Sequence, residues 1–211
     1  MTVETVTVDH PLVLDALRRI RDVETPNALF RQHLERIGLL LIAEATQTLP
    51  TLDTTVTTPL TEAPATRLAV QPVIVPILRA GLGFLAPAQM LLPNADIGFI
   101  GIARNEETHQ PEPYVNKLPD HLADRPVIVV DPMLATGGSL IHTLELLIQR
   151  GAMQPLTVIC ALCAPEGIKA VEDSGIDVTL FTAAVDGHLN DDAFIVPGLG
   201  DAGDRQFGAP A

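Results

Sequence analysis

The stretch Asp131-Pro132-Met133-Leu134-Ala135-Thr136-Gly137-Gly138-Ser139 sets a single carboxylate beside a loop suited to anions. Gly137 and Gly138 carry no side chain, so successive backbone N–H groups can curl into a nest at a helix N-terminus, where the helix dipole adds to the attraction. Thr136 and Ser139 add hydroxyl donors. A phosphate monoester suits such a loop, and a glycine turn with Ser or Thr capping the helix is the plainer alternative. Asp131 shifts the balance. A carboxylate repels a phosphate, so it needs another partner. At a strand end its oxygens can accept hydrogen bonds from two adjacent sugar hydroxyls, as acids do for ribose elsewhere. The two features together describe a ribose 5-phosphate, with the phosphate in the nest and the diol on the acid. A P-loop is excluded, because the segment lacks the Gly-Lys-Ser/Thr ending.

A second glycine-rich stretch, Gly198-Leu199-Gly200-Asp201-Ala202-Gly203, fits the G-x-G-x-x-G pattern. That pattern binds a dinucleotide only with a strand before it, a helix after it and an acid about 20 residues on. Too little chain follows Gly203 for a helix and a further strand. Its glycines are better read as letting backbone groups approach a flat ligand closely. Cys160 and Cys163 lie in the apolar run "LTVICALCA". Positions three apart on a regular strand point to opposite faces, so the pair reads as buried and unreactive. His10, His33, His109, His121, His142 and His188 form no ligand spacing. His142 reads as a helix residue and the others as surface or loop residues.

The elements that must position these groups follow from periodicity. "VETVTVDH" reads as a short strand, and 11–48 carries two helical patterns split near Thr25-Pro26. The Thr- and Pro-rich stretch 49–68 reads as irregular or edge structure. From 69 onward strands alternate with helices: "VQPVIVPIL", "ADIGFIGIA", "VIVVD", "PLTVICALCA" and "DVTLFTAAV" are strands. "GLGFLAPAQMLL" opens a helix, and "SLIHTLELLIQRG" puts Leu140, Ile141, Leu144, Leu147 and Ile148 on one stripe. Strands apolar on both faces between helices indicate a parallel sheet covered on both sides. Ligands of such sheets bind beyond the carboxyl ends of the strands. The polar stretch 104–126 reads as a long connection of the functional or disordered kind, and 186–211 as too irregular for another strand–helix unit.

At 211 residues the chain suits one domain, with a core at about 69–185 and a small hood from about 1–68 and 186–211. Hydrophobic residues make up 47%, enough for a substantial core. The apolar runs are too short to span a bilayer, and the N-terminus carries no basic and apolar leader pattern, so a cytoplasmic location is expected. The formal net charge of −13 opposes a broad grip on nucleic acid or an anionic membrane. A small phosphate ligand, which often brings Mg²⁺, is compatible with it.

The segments "PILRAGLGF", "RNEETHQPEPYVNKLP", "DPMLATGGS", "APEGI" and "FIVPGLGDAGDRQFG", in this order, resemble the type I phosphoribosyltransferases, and among them the uracil phosphoribosyltransferase family. "HPLV" and "EAT" extend the similarity over nearly the whole chain. Most type I relatives carry two adjacent acids where this chain has Asp131-Pro132. The single acid is itself typical of the uracil enzymes. The resemblance implies a parallel sheet flanked by helices and the pyrimidine-salvage reaction of uracil with phosphoribosyl diphosphate to give UMP and diphosphate. Mg²⁺ would be held mainly through the diphosphate. It further implies that Asp131, Pro132, Met133, Leu134, Ala135, Thr136, Gly137, Gly138 and Ser139 hold the ribose 5-phosphate part. Arg79 and Arg104 would contact the diphosphate. Ile195, Gly200 and Ala202 would recognise uracil through backbone groups, and Asp201 would face the phosphoribosyl substrate. Asp131, Arg104 and Asp201 are the candidate catalytic residues, and Tyr114 and Lys117 are candidates brought in by a closing loop. A GTP effector and a homodimer or homotetramer are also implied. Phe194, Ala43 and Ala103 depart from the pattern, each standing where the family leads one to expect tyrosine. An RNA-binding regulator of pyrimidine genes is the alternative function, disfavoured by the acidic charge and by the want of a Lys/Arg cluster.

Overall fold

The computed structural model describes residues 3–104, 111–120 and 122–209, with the side chains of 103–104 and 111–113 outside that description. Strand β1 (Val3–Thr7) leads into helices α1 (Pro11–Arg21) and α2 (Asn27–Ala45). His10 caps α1 by accepting from the Leu12 N–H at 3.1 Å, and Pro11 occupies the first turn, where a missing N–H costs nothing. Next come a hairpin, β2 (Thr51–Thr57) and β3 (Glu62–Leu68), then β4 (Val73–Leu78), a 3₁₀ turn (Ala80–Phe84) and α3 (Leu85–Leu91). Strands β5 (Asp96–Ile97), β6 (Phe99–Arg104), β7 (Pro111–Lys117), β8 (Val127–Val130) and β9 (Met133–Leu134) follow, then α4 (Gly138–Gln149) and β10 (Leu156–Cys163). The chain closes with α5 (Pro165–Asp173), β11 (Val178–Val185), β12 (His188–Leu189), β13 (Ile195–Val196) and α6 (Ala202–Phe207).

The main sheet runs β1-β11-β10-β8-β4-β6-β7, with β5 beside β4 and β9 beside β10. Its pairs are parallel except β6 with β7. Alternation in the central strands feeds two cores. Ile74, Ile128, Val130 and Ile159 join α1 and α2 on one face, while Val73, Val75, Val127, Val129 and Val158 join α4 and α5 on the other. The expected α/β architecture is therefore present. Residues 3–45, expected in the hood, supply β1 to the sheet and α1 and α2 to one of its faces.

Three segments differ from expectation. Residues 51–68 form an antiparallel hairpin with continuous register from Thr51↔Leu68 to Thr57↔Glu62. Most positions on both strands are exposed, so no apolar alternation announces them. The polar stretch after Arg104 contains β7, which pairs antiparallel with β6. Finally, Ala161 and Leu162 N–H both donate to the Pro132 carbonyl, at 2.9 and 3.0 Å, a bulge-like irregularity in β10. It turns Cys160 and Cys163 toward the same core, contrary to the opposite-face reading. Both remain free and fully buried, and contact with Cys163 together with burial pushes the Cys160 thiol up.

Candidate active site

Three neighbouring strands deliver the chemistry. In the sheet order β8-β4-β6, β8 leads directly into Asp131, β4 leads directly into Arg79 and β6 ends in Arg104. The expected acid and the two expected arginines thus leave the carboxyl edge of adjacent strands, spaced about 4.8 Å apart in backbone. The Arg104 side chain lies outside the described residues, as does that of Ala103.

The Asp131 N–H donates to Ile159 O at 3.1 Å, extending β8 by one rung. Beyond it β9 pairs with β10, and Ala164 N–H donates to Leu134 O at 2.8 Å. The loop then turns through Gly137, whose φ of 86° lies in the left-handed region, into α4. Helix α5 presses on this loop from behind. A Cβ on Gly167 would stand 2.4 Å from Ala135 O, so only glycine permits the contact. Asp131 and the residues from Met133 to Leu140 enclose a small cavity of about 100 Å³, with Thr136 and Ser139 exposed at it. Pro132 is buried beneath and spends its carbonyl on β10.

A second cavity, of about 160 Å³, shares Met133 and Ala135 with the first. It is lined also by Ala80, Phe194, Ile195, Gly200, Asp201, Ala202 and Gly203. Ile195, Gly200 and Ala202, expected at uracil, therefore come together with Asp201 beside the turn that bears Arg79. Tight backbone geometry shapes this wall: Gly198 has φ 60°, and a Cβ there would stand 2.0 Å from Ile195 O. Asp201 caps α6 by accepting from the Asp204 N–H at 2.8 Å. A helix does therefore span Gly203, contrary to expectation, at six residues, and among the described residues no further strand follows it.

Burial pushes the Asp131 carboxyl up to about 7, and the Asp201 carboxylate pushes in the same direction, while the hydrogen bond from Met133 N–H opposes both. Asp131 lines the first cavity and Asp201 the second, and the two cavities share Met133 and Ala135. Among the described residues no group of three or more His, Cys, Asp or Glu is placed to hold a metal ion by itself.

Tyr114 and Lys117 are strand residues rather than loop residues. The Tyr114 ring covers Gly101, where a Cβ would stand 2.6 Å from it. Lys117 pairs with Phe99 at the start of β6, roughly 17 Å along the strand from Arg104 at about 3.4 Å per residue, so β7 carries it away from the site. Of the departures, Ala43 is exposed on α2, and Phe194 is 45% exposed at the rim of the second cavity. His33, read from sequence as a surface residue, lies on α2 with a buried, unpartnered Nδ1, and burial lowers its pKa with help from Arg19 and Arg36.

Sequence reasoning missed the residues that hold the second cavity in place. Arg21 forms a two-pronged ion pair with Asp186, at 2.6 and 2.8 Å, and donates to Gly198 O, while Asp186 accepts from Gly198 N–H. Arg205 reaches Leu199 O, Asp22 O and Ile20 O and stacks 4.5 Å over the Phe30 ring. Arg79 pairs with Asp204 at 2.9 Å. Partners lying 165 and 125 positions apart leave no local signal in a sequence.

A family model for uracil phosphoribosyltransferase matches residues 6–209. Curated relatives named uracil phosphoribosyltransferase include those of Corynebacterium efficiens (51% identical) and Corynebacterium diphtheriae (52% identical), each over 95% of both chains. The solved AQ2163 protein of Aquifex aeolicus superposes with a TM-score of 0.91 at 38% identity, covering 97% of this chain and 98% of that one. A hypoxanthine-guanine phosphoribosyltransferase of Bacillus anthracis, at 15% identity and a TM-score of 0.52 over 76% of this chain and 80% of that one, shares the fold.

Proposed function

The chain belongs to the uracil phosphoribosyltransferase family, and from that premise we propose the division of labour by which it converts uracil and phosphoribosyl diphosphate to UMP and diphosphate. The carrying observation is the pair of cavities that share Met133 and Ala135, one ending in the Gly137-Gly138 turn and the other walled by 194–203. The first takes the 5-phosphate, with Asp131 accepting from the ribose hydroxyls. The second takes the uracil ring. Arg79 and Arg104, at the ends of adjacent strands, take the diphosphate.

Displacement at the anomeric carbon builds positive charge on the ribose and negative charge on the leaving diphosphate. The two arginines stabilise the latter more in the transition state than in the ground state. Asp131 binds the diol best as a carboxylate, so substrate binding strengthens as pH rises through about 7. The ring is read by backbone N–H and C=O groups around Ile195, Gly200 and Ala202, held rigid by Arg21, Asp186 and Arg205. Such fixed groups favour uracil over cytosine, whose donor–acceptor pattern is reversed at one position. Asp201 orients the phosphoribosyl group or assists proton loss from uracil. The carboxylates of Asp131 and Asp201, on adjoining cavities, would suit a divalent cation that arrives on the diphosphate. Mg²⁺ bound in that way supplies charge neutralisation for the leaving group.

A GTP effector is a further part of this reading and rests on the family resemblance. Assembly into a homodimer or homotetramer is supported by hairpin β2–β3, exposed along most of both strands. The net charge of −13 stands against the RNA-binding alternative. Among the described residues no helix is long and apolar enough to cross a membrane.

Product formation is tested across uracil, cytosine, hypoxanthine and orotate, with and without Mg²⁺ and GTP. UMP from uracil alone is expected, with Asp131→Asn and Arg104→Ala strongly impaired. Full activity in both variants would remove the site assignment, and an unchanged rate and pH profile in Asp201→Asn would remove that residue's role.

A further inference from the structure

Helix α6 grips the Arg79–Ala80 turn at two adjacent points. Asp204, in its first turn, pairs with the Arg79 guanidinium at 2.9 Å. Gln206, fully buried, donates from Nε2 to Ala80 O at 3.0 Å and to Ala202 O at 2.8 Å. Ala80 and Ala202 both line the base cavity. The Gln206 amide has no slack. Its Oε1 is buried without a partner and rests against Gly83, where a Cβ would stand 2.2 Å away, and Arg31 donates to its backbone carbonyl. The Arg79 guanidinium itself lies near Gly203, on the wall of the same cavity. A Cβ on Gly203 would stand 3.7 Å from Arg79 Nη2 and 3.2 Å from Asp201 Oδ1.

One short helix therefore carries a wall of the base cavity at its start and holds the turn that presents Arg79, the cation assigned to diphosphate. Close-packed contacts of this kind pass displacement on rather than absorb it. The Arg79–Asp204 pair is open to solvent, with side chains 46% and 37% exposed, so it is weak enough to be exchanged for a more highly charged partner.

We propose that α6 couples the two halves of the site. Diphosphate competes with Asp204 for Arg79, the guanidinium moves off the Gly203 wall, and uracil then binds more tightly. Asp204 and Gln206 are positioning residues in this device, which rests on the assignment of Arg79 to diphosphate and of the cavity to uracil. Linkage requires the effect to be reciprocal, uracil tightening diphosphate by the same factor.

The test is equilibrium dialysis of uracil against the full chain at rising magnesium diphosphate, and of diphosphate at rising uracil. In the wild type each ligand is expected to tighten the other by at least about fivefold, the lower end of ordinary coupling. In Asp204→Asn, whose substitution is exposed and leaves the fold intact, uracil binding without diphosphate strengthens and the coupling factor falls below about 2. Gln206→Met, close in shape but without a donor, lowers the factor as well. If Gln206→Met fails to fold, Asp204→Asn decides. Absence of mutual tightening in the wild type, or an unchanged factor in Asp204→Asn, overturns the proposal. A wild type that forms UMP but shows no coupling defeats this inference alone, whereas one that forms no UMP defeats the functional reading beneath it.

Discussion

Asp131 is predicted to cost the ligand-free fold stability in return for its place in the site, and replacing it by Asn exposes that cost. Burial first, and then the Asp201 carboxylate, raise its pKa from 3.8 to about 7. The unfolded chain ionises this carboxyl at its ordinary value. Between pH 3.8 and 7 the folded state therefore keeps a proton that the unfolded state has lost, and stability falls as pH rises. The whole penalty stands above pH 7 and vanishes below the ordinary value. About three decades at 1.36 kcal/mol each bound it near 4 kcal/mol. Asp131 keeps some solvent exposure, so about 2–3 kcal/mol is the expected size. Asparagine keeps an acceptor for the Met133 N–H and carries no charge. Asp131→Asn should thus match the wild type near pH 4 and exceed it by that amount at pH 8.5, while losing activity. Urea unfolding followed by far-UV circular dichroism suits a chain without tryptophan. A stability difference of zero at pH 8.5, or one that is the same at both pH values, would refute the reasoning.

Other perturbations separate the two cavities. Gly167→Ala puts a methyl 2.4 Å from Ala135 O behind the phosphate loop. The KM for phosphoribosyl diphosphate should rise roughly tenfold or more, while that for uracil changes less than about twofold. Gly198→Ala strains a φ of 60° and strikes Ile195 O at 2.0 Å, so initial-rate kinetics should show the opposite split. Arg21→Met leaves Asp186, 5% exposed, without its partner and should cost about 3 kcal/mol at pH 7, read by urea unfolding. Burial alone would raise the Asp186 pKa, yet Arg21 and the Gly198 N–H hold it low. Its contribution is therefore complete above the ordinary carboxylate range and is lost as pH falls through the lowered value, so the Arg21→Met deficit should shrink in acid. Cys160 and Cys163 should ignore a thiol reagent in the native protein and both react in denaturant. Rapid native labelling would contradict their burial.

Legibility followed locality. The run from Val127 through Ser139 to the stripe of α4 forms strand, loop and helix from neighbouring residues, so composition and periodicity sufficed to place it. Hairpin β2–β3 is legible only as irregular or edge structure, and strand β7 not at all, for a physical reason. A strand betrays itself by alternation only when one of its faces is buried, and β2, β3 and residues 114–117 of β7 present largely exposed side chains. The face shared by Cys160 and Cys163 was misread because a bulge in backbone pairing leaves no mark on side-chain chemistry.

By itself, then, the sequence determined the parallel sheet, the glycine loop with its lone acid, and four of the residues that meet at the second cavity, Ile195, Gly200, Asp201 and Ala202. Tertiary structure alone decided what holds them. The Arg21–Asp186 clamp on Gly198, the α6 grip on Arg79 and Ala80, and the meeting of the two cavities at Met133 and Ala135 join segments far apart in the chain. Charge and hydrogen-bonding capacity belong to a residue, but pairing and pKa belong to its surroundings, and those exist only once the sheet has brought its carboxyl edge together.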